Sequence, residues 1–325
     1  MKTKIVDVAN YAGVSIATVS HVLNGTRYVS EETAKKVRNA IDTLGYFPDV
    51  SARNFKTGKK HMIGFIAPDI SNNYFSSIIE KVESTIAKKN YQLIVVNTKE
   101  TKQREFESIE VLTAGIVDGL IIASTAEKVE ELSVKIPTDF PVVLVDRTFP
   151  ECPYSTCIIS SYYAVYESVQ SLIYRGHKRI GYIAGLAHLS TTKERLAAYK
   201  QALTDYGYLV DDDIILFADS MSNSAYPLTG RLLDLGCTAL VISNNIMSFD
   251  ALTYLNSNGI YVGKDVSIVG FNGSNSRAFL SSVIPVVSEP TEELGIMAGE
   301  QILANMKNST RKSKDIILYS SFINF

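Results

Sequence analysis

The chain has 325 residues, of which 46% are hydrophobic and 20% are charged, and its formal net charge is −2. This composition is typical of a globular protein with two or three domains and excludes disordered and fibrous proteins. No run approaches the roughly 18 apolar residues of a membrane span, and Asp7 and Asn10 stand where a signal peptide would be apolar. Three cysteines without metal-type spacing favour a reducing compartment, so we expect a cytoplasmic protein.

The charge is distributed unevenly along the chain. Residues 1–60 hold ten Lys and Arg against five Asp and Glu, a balance of +5, whereas the remainder holds 22 against 29, a balance of −7. A basic segment on an acidic body indicates an anionic partner for the first segment alone. A basic tail with no such partner is the alternative.

Three short helices are predicted before residue 48. The stretch "IVDVANYA" has an apolar helical face and ends at Gly13, and "SEETAKKVRNAIDTLG" is capped by Ser30 and ends at Gly45. Between them, "VSIATVSHVLNG" predicts a helix capped by Ser15, with one apolar face for a core. Its other face is small and polar and lacks Glu/Lys pairs; it consists of Ala17, Ser20, His21 and Asn24.

A helix-turn-helix explains this polar face. Ala9, Gly13 and Val19 have the spacing in which an alanine lets two helices approach, a glycine makes the turn and a valine packs the second helix on the first. An ordinary helical hairpin is the alternative, but three constraints met together favour DNA binding. The second helix would then enter a major groove. In this reading, bases would be contacted by Ile16, Ala17 and His21. The DNA backbone would be held by Ser15, Thr18 and Asn24. Ser20 lies on the same polar face of the second helix.

After residue 61 the pattern changes to an alternation of strands and helices. Apolar runs that predict strands are "MIGFIA", "YQLIVVN", "GLIIAS", "VVLVD", "RIGYIAG", "ALVIS" and "VSIVGF". Helices are predicted between them at residues 74–89, 103–115, 162–175, 192–206, 247–258 and 291–306. This alternation predicts an α/β body with two doubly wound parallel sheets and a ligand site between them, beyond the carboxyl ends of the strands.

Several motifs resemble one family of transcriptional regulators. The block "KIVDVANYAGVSIATVSHVLNG" and, later, "VDGLIIAS", "PVVLVDR", "RGHKRIGYIAG" and "DVSIVGFN" resemble the lactose/galactose repressor (LacI/GalR) family over nearly the whole chain. The resemblance implies a homodimeric repressor of a carbohydrate-related operon, which binds a pseudo-palindromic DNA operator under allosteric control by a small-molecule effector. The C-terminal segment shows no leucine heptad of the kind that forms a tetramer, so we expect a dimer.

The resemblance also implies a domain organisation. A helix-turn-helix domain is expected at 1–47, a hinge helix and linker at 48–60, and a periplasmic-binding-protein-like body at 61–325. Within the body, the N-lobe is expected at about 61–160 plus 289–325, and the C-lobe at about 161–288.

The hinge segment contains one departure from the family pattern. In the family this segment folds on operator DNA and a leucine wedges into the minor groove; here the matching residue is Phe55, a suitable wedge. Packing of Phe55 into a core is the alternative, which so polar a segment disfavours. Arg53, Lys56, Lys59 and Lys60 would contact phosphates.

The resemblance implies a ligand cleft between the lobes, formed by Tyr74, Phe75, Asp146, Arg147, Ser160, Arg195, Asn244 and Asn272. Alternatives are an internal ion pair between Asp146 and Arg147 and a core role for Tyr74. Three acidic groups of the family pattern are neutral here, at Ser160-Ser161, Asn245 and Asn272, while two arginines remain. We therefore expect a carbohydrate-related effector and favour one with a phosphorylated or acidic group.

Catalytic signals are weak throughout. The tetrapeptide "STTK" at residues 190–193 has no companion motif, the four histidines lack metal spacing, and no phosphate-binding loop occurs. We therefore expect neither an enzyme nor a bound cofactor or metal. Two alternatives stay open: an enzyme with a doubly wound body, and a constitutive DNA-binding or protein-interaction module with a non-functional cleft.

Overall fold

A computed structural model describes residues 3–25, 27–47, 59–219, 223–273, 284–307 and 313–324. The chain divides into two compact units, Met1–Lys59 and Lys60–Phe325, and each is described by itself. The predicted hinge segment between residues 48 and 58 lies outside the described residues. Among those described, no helix is long and apolar enough to cross a membrane.

The first unit consists of the three predicted helices, α1 (Ile5–Ala12), α2 (Ile16–Asn24) and α3 (Glu31–Leu44). The caps are those that the sequence predicts: the Ser15 Oγ accepts the Thr18 amide at 3.1 Å, and the Ser30 hydroxyl caps α3. The backbone of Gly13 lies in the left-handed region, with φ of +66°. Because a β-carbon disfavours this conformation, glycine suits the turn between α1 and α2.

A small apolar core holds the three helices together. It is formed by Val8, Ala9, Val19, Val37 and Ala40. The side chain of Val19 is fully buried and Ala9 is 2% exposed, so the roles predicted for these two residues of the helix-turn-helix are confirmed.

The second unit contains two six-stranded sheets. The first has the order β11-β5-β4-β3-β1-β2 and the second has the order β12-β10-β9-β8-β6-β7. The strands of the first sheet are β1 (Met62–Ala67), β2 (Gln92–Asn97), β3 (Gly119–Ile122), β4 (Val142–Val145), β5 (Ser155–Ser160) and β11 (Asp315–Tyr319). Those of the second are β6 (Ile180–Ala184), β7 (Ile215–Phe217), β8 (Ala239–Ile242), β9 (Ser267–Gly273), β10 (Val286–Glu289) and β12 (Ser321–Ile323).

Helices cover both faces of each sheet. Those of the first lobe are α4 (Asn73–Ala87), α5 (Lys102–Thr113), α6 (Val129–Ser133) and α11 (Thr291–Lys307). Those of the second are α7 (Tyr162–Tyr174), α8 (Ser190–Asp205), α9 (Ala225–Asp234) and α10 (Asn245–Ser257). Two apolar cores lie in each lobe, one on either side of its sheet. The doubly wound architecture predicted from the sequence is therefore confirmed.

The two lobes repeat one topology. Each places its first five strands in the order 5-4-3-1-2 and adds one strand from the C-terminal segment at the same edge. In such sheets a ligand binds where the strand order reverses, beyond the carboxyl ends of the strands. Corresponding loops of the two lobes therefore have the position of a shared binding site.

Three connections join the lobes, and the last one differs from the sequence prediction. The chain passes between lobes after β5, after β10 and between β11 and β12. Residues 289–325 were expected in the N-lobe, but β12 pairs with β10 of the second sheet in antiparallel orientation. The Ser161 and Ser320 hydroxyls lie 2.9 Å apart, so a hydrogen bond links two of the connections.

Candidate functional site

The polar face predicted on α2 lies at the surface of the first unit. Ile16 is 48% exposed. Ala17 and Asn24 are also exposed, while Thr18, Ser20 and His21 are half-buried. A short helix with such a face in a basic unit has the features of an element that reads base edges in a major groove.

Local hydrogen bonds order this face. The hydroxyls of Ser15 and Thr18 lie 2.9 Å apart at the start of α2. At its other end, the Asn24 amide donates to the Ser20 carbonyl at 2.8 Å and to the Ser20 hydroxyl at 3.2 Å. The side chains expected to contact DNA are thus oriented within one helix.

Part of the predicted DNA interface cannot be placed. Arg53, Phe55 and Lys56 lie outside the described residues, so the expected minor-groove wedge stays a prediction. Lys59, the last residue of the first unit, is described and exposed.

The second candidate site is a cleft between the two lobes of the body. Its lining comes from the segments that follow β1, β4, β6 and β8 and from the last residue of β10. The lining residues are Asn72, Tyr74, Phe75, Asp146, Arg147, Gly185, Leu186, Leu189, Thr191, Thr192, Arg195, Ser243, Asn244, Asn245 and Glu289. Six of the eight cleft residues implied by the family resemblance are therefore brought together, at the edge that the topology predicts.

On the first lobe, Asp146 connects two of these side chains. Its Oδ1 accepts the Tyr74 hydroxyl at 2.6 Å, and its Oδ2 lies 3.4 Å from the Arg147 Nε. The backbone of Asp146 has a φ of +68°, which is unusual for a residue with a β-carbon. Burial, with the neighbouring Asp146 charge, raises the pKa of Tyr74 well above its usual value, so Tyr74 remains a hydrogen-bond donor.

The Arg147 guanidinium is already paired within the protein. Its two terminal nitrogens donate to the two carboxylate oxygens of Glu100 at 2.5 and 3.2 Å, and one of them also donates to the Ser124 carbonyl at 3.0 Å. Arg147 is 6% exposed. The Asp146–Arg147 ion pair considered as an alternative exists, but the bidentate Glu100 contact is the better formed.

The second lobe contains a similar arrangement around Arg195. Its guanidinium donates to the Ser243 carbonyl at 2.7 Å and to the Glu289 carboxylate at 2.6 Å, and it lies over the Phe271 ring at 4.2 Å. Arg195 and Glu289 are 7% and 4% exposed. Burial, reinforced by the charge of Asp146, raises the pKa of Glu289 to about 7 although Arg195 opposes the shift.

Two asparagines on α10 hold the rim of the cleft. Asn244 caps that helix, since its side-chain oxygen accepts the Ile246 amide at 2.8 Å. Asn245 reaches across to the first lobe and donates to the Asn72 side chain at 2.8 Å. The Thr148 amide donates to the Ser190 hydroxyl at 3.1 Å in a second contact between the lobes.

These contacts leave little space between the lobes. The cavity volume is about 50 Å³, enough for a few water molecules and well below the roughly 300–1,000 Å³ of typical ligand pockets. A metabolite would enter only if the lobes moved apart.

Two predicted cleft residues do not line the cavity. Ser160 is half-buried and donates to Glu194 at 2.6 Å, next to a lobe connection. Asn272 is fully buried, and neither atom of its amide has a hydrogen-bond partner among the described residues. Buried polar groups are rarely left in this condition, so Asn272 would gain from a water or ligand brought within reach.

The structure removes the premise of the charge argument for an acidic effector, and the effector itself stays a prediction. That argument assumed two arginines and few carboxylates, but both arginines are paired with acidic residues that the sequence had not indicated, Glu100 and Glu289. Glu289 ends the short strand "VVSE", much as Asp146 follows "VVLV", and this strand-end position could have revealed it. Both arginines of the cleft thus already have an acidic partner within the protein.

Among the described residues, no group of three His, Cys, Asp or Glu side chains could hold a metal ion. The buried Cys157 and Cys237 and the half-buried Cys152 are free thiols. The raised pKa of Cys157, about 12, results from burial, which makes its thiolate scarce at neutral pH.

Both units match models of protein families. Residues 4–49 match "Bacterial regulatory proteins, lacI family". Residues 60–324 match "Periplasmic binding proteins and sugar binding domain of LacI family". The two matches divide the chain at almost the same position as the two structural units.

Characterised relatives extend over the full length. The transcriptional regulator RegA of Clostridium saccharobutylicum is 31% identical over 99% of this chain and 98% of the relative. The repressor PurR of Vibrio atlanticus is 30% identical over 95% of this chain and 94% of the relative. A crystal structure of the Lac repressor dimer bound to operator and the anti-inducer ONPF superposes with a TM-score of 0.85, covering 100% of this chain and 98% of that one at 23% identity. The family models and the relatives show that the chain belongs to the LacI family of DNA-binding transcriptional regulators, with an effector-binding body.

Proposed function

We propose that this regulator is a cytoplasmic homodimeric repressor, rather than an enzyme, that binds a pseudo-palindromic operator and responds to a small effector in the cleft between its lobes. One observation carries the proposal. A helix-turn-helix with a short polar outward face is joined by about a dozen residues to a body whose strands end at a shared cleft. The PurR relative is itself named a repressor.

Within this proposal, α2 reads the operator. Ile16, Ala17 and His21 would contact base edges, and Ser15, Thr18 and Asn24 would hold the DNA backbone. Ser20 would face the groove beside them. Phe55 of the hinge segment would act as the minor-groove wedge, flanked by the phosphate-binding Arg53, Lys56 and Lys59.

Selection from a random DNA pool tests the DNA-binding part. We expect the purified full-length chain to enrich a two-fold symmetric motif and to bind it at least about 10³-fold more tightly than unrelated DNA at moderate salt. Enrichment of no motif, with or without candidate effectors, would contradict the proposal.

The effector part concerns ligand chemistry. The match to the family's sugar-binding domain supports a carbohydrate-related ligand. Because Arg147 and Arg195 already have carboxylate partners, a phosphorylated or acidic ligand would have to displace Glu100 or Glu289. Neutral hydroxyls donate and accept, so they could join these pairs without a charge imbalance. We therefore propose a neutral, hydroxyl-rich effector.

A thermal-shift screen tests this choice with matched compounds. Neutral sugars, their phosphates and the corresponding sugar acids are compared at equal concentration. Since a ligand that binds only the folded state raises its stability, we expect a neutral sugar to raise the Tm of the body by several degrees and its phosphate to raise it less. A larger shift with the phosphate or acid would restore the acidic effector favoured by the sequence.

A second candidate function follows from the size of the cavity. A cleft with about 50 Å³ of space and internally paired charges also fits an effector-independent regulator. The same screen distinguishes the two, because such a protein would show no shift with any class of ligand while still binding its operator.

A further inference from the structure

The linker to the DNA-binding unit enters the body at a point that one carboxylate organises. Asp118 stands immediately before β3, and its side chain accepts two consecutive backbone amides at the start of the body. The Lys60 amide donates to it at 2.9 Å and the His61 amide at 2.8 Å. Hydrogen bonds to a charged acceptor are among the stronger ones in proteins.

Further hydrogen bonds hold the backbone of His61 and Met62. The Asp118 amide donates back to the Met62 carbonyl at 2.8 Å, and the Gln92 amide donates to the His61 carbonyl at 2.9 Å. The chain is therefore held from β3 on one side and from β2 on the other before β1 begins.

The backbone at this entry point is strained. His61 has a φ of +56°, a left-handed conformation that residues with a β-carbon adopt at a cost. Its ring packs on Tyr91, with centroids 5.2 Å apart. Such a conformation persists only where neighbouring contacts enforce it, and the Asp118 carboxylate provides the contacts on the linker side.

We propose that Asp118 is a positioning residue for operator binding: it fixes the point and direction at which the linker leaves the body. The inference rests on the proposed function, in which two DNA-binding units must meet two half-sites at one spacing. Because Asp118 holds the entry point to the first lobe, a movement of that lobe displaces the start of the linker by the same amount. Without the carboxylate, residues 60 and 61 would lose these two hydrogen bonds and each DNA-binding unit could reach a wider range of positions.

Half-site spacing provides a test that general destabilisation would not mimic. The wild-type full chain first selects its operator from a random pool, and a second duplex has the half-sites two base pairs further apart, a change of roughly 7 Å and 70°. Affinities for both duplexes are compared in wild type, in Asp118→Asn and in the control Asp139→Asn. Asp139 is an exposed residue of the same lobe.

We expect the ratio between the two affinities to fall by roughly five-fold or more in Asp118→Asn, the lower end of typical coupling between linked sites, and to stay at the wild-type value in Asp139→Asn. A folded Asp118→Asn protein with the wild-type ratio would overturn the proposal. A wild type that selects no symmetric operator would instead contradict the proposed function.

Hydrogen exchange tests the clamp without DNA and without a variant that must fold. In the wild-type chain, the Lys60 and His61 amides should exchange as slowly as the paired amides of β1, because both donate to a partly buried carboxylate. Fast exchange of these two amides beside slow exchange in β1 would overturn the proposal, whatever the DNA measurements show.

Discussion

The polar face of α2 and the polar lining of the cleft use their hydrogen-bonding groups differently. On α2 the side chains are short and lie at the surface, and Asn24 bonds to Ser20 of the same helix. In the cleft the groups are buried and pair between distant segments, as Arg195 does with Glu289 across 94 residues of sequence. The polar face of α2 is therefore available to DNA as it stands, whereas the polar groups of the cleft already bond to one another.

This difference has a consequence for regulation. DNA that meets α2 displaces mainly water and counterions, so recognition needs little change in the unit itself. A ligand that enters the cleft must separate the lobes and share or replace internal bonds, such as that between Asn245 and Asn72. Since a ligand shifts a conformational equilibrium only through its different affinity for the two states, a self-paired cleft suits a switch.

The largest effect is expected where α2 depends on the small core beneath it. Val19→Ala removes two methyl groups from a fully buried site, at a cost of roughly 2 kcal/mol or more, and small units have little stability to lose. We expect operator binding to be lost together with the unfolding transition of the first unit. Val6, which is 39% exposed on α1, provides the control Val6→Ala. Wild-type operator affinity in Val19→Ala would contradict this view of the surface.

The buried Arg195–Glu289 pair of the cleft should make the free energy of unfolding depend on pH. The pKa of Glu289 is about 7 in the folded chain against an ordinary value of 4.5. Between these values the folded state retains a proton that the unfolded state releases, so the stabilising contribution present at low pH is lost as the pH rises. We expect the free energy of unfolding to decrease by about 3 kcal/mol from pH 4.5 to above 7 through this group.

Glu289→Gln isolates the contribution of this carboxyl from that of other titrating groups. The free energy of unfolding is measured with urea at several pH values for wild type and variant. Plotted against pH, the two curves should differ in slope only between pH 4.5 and 7. Glu292→Gln, at a side chain that is 43% exposed, should follow the wild type. Parallel pH profiles of wild type and Glu289→Gln would show that Glu289 titrates normally.

Two tyrosine–aspartate pairs allow the stability contribution of a buried hydrogen bond to be compared with that of an exposed one. Tyr74→Phe removes the donor to the buried Asp146 and should lower the free energy of unfolding by about 1.5–3 kcal/mol. Tyr166→Phe removes a similar bond to Asp205 at the surface and should change it by no more than about 0.5 kcal/mol. Both values come from chemical denaturation of the full chain. Equal costs for the two variants would remove the distinction between the cleft and an ordinary polar surface.

On the DNA side, base contacts and phosphate contacts should behave differently. His21→Ala should weaken binding to the selected operator by on the order of 1–3 kcal/mol and relax the preference at one base position. Lys59→Ala should weaken binding to all DNA to a similar extent and reduce the salt dependence. Titrations on operator and unrelated duplexes at several salt concentrations measure both. A His21→Ala protein with unchanged base preference would remove His21 from the proposed reading face.

The sequence predicted best what depends on neighbours along the chain. Ser15, Ser30, Gly13 and Gly45 mark helix ends through local chemistry, and the three helices of the first unit are where they were expected. Continuous apolar runs identified seven strands of the body. The strands that were missed are short or mix polar residues into the run, such as β10 with "VVSE", and β11 and β12 lie at sheet edges with half-exposed patterns.

Pairing across long sequence distances could not be predicted. Arg147 meets Glu100 across 47 residues and Arg195 meets Glu289 across 94, so neither pairing follows from a local motif, although a strand end marks the position of Glu289. Of the predicted cleft residues, Asp146 and Asn244 line the cavity just after strand ends, while Asn272 is buried away from it. The sheet topology predicts which residues lie together at the cleft. Which of their charges pair with one another is seen only in the structure.

The link between the two regions is tested most directly by measuring operator affinity with and without the ligand that gives the largest thermal shift. We expect a change of about 5–150-fold in the wild type, and no change in Arg195→Ala, whose affinity for the operator without ligand should equal that of the wild type. A ligand that binds the body in calorimetry but leaves the operator affinity of the wild type unaltered would contradict control of DNA binding from the cleft.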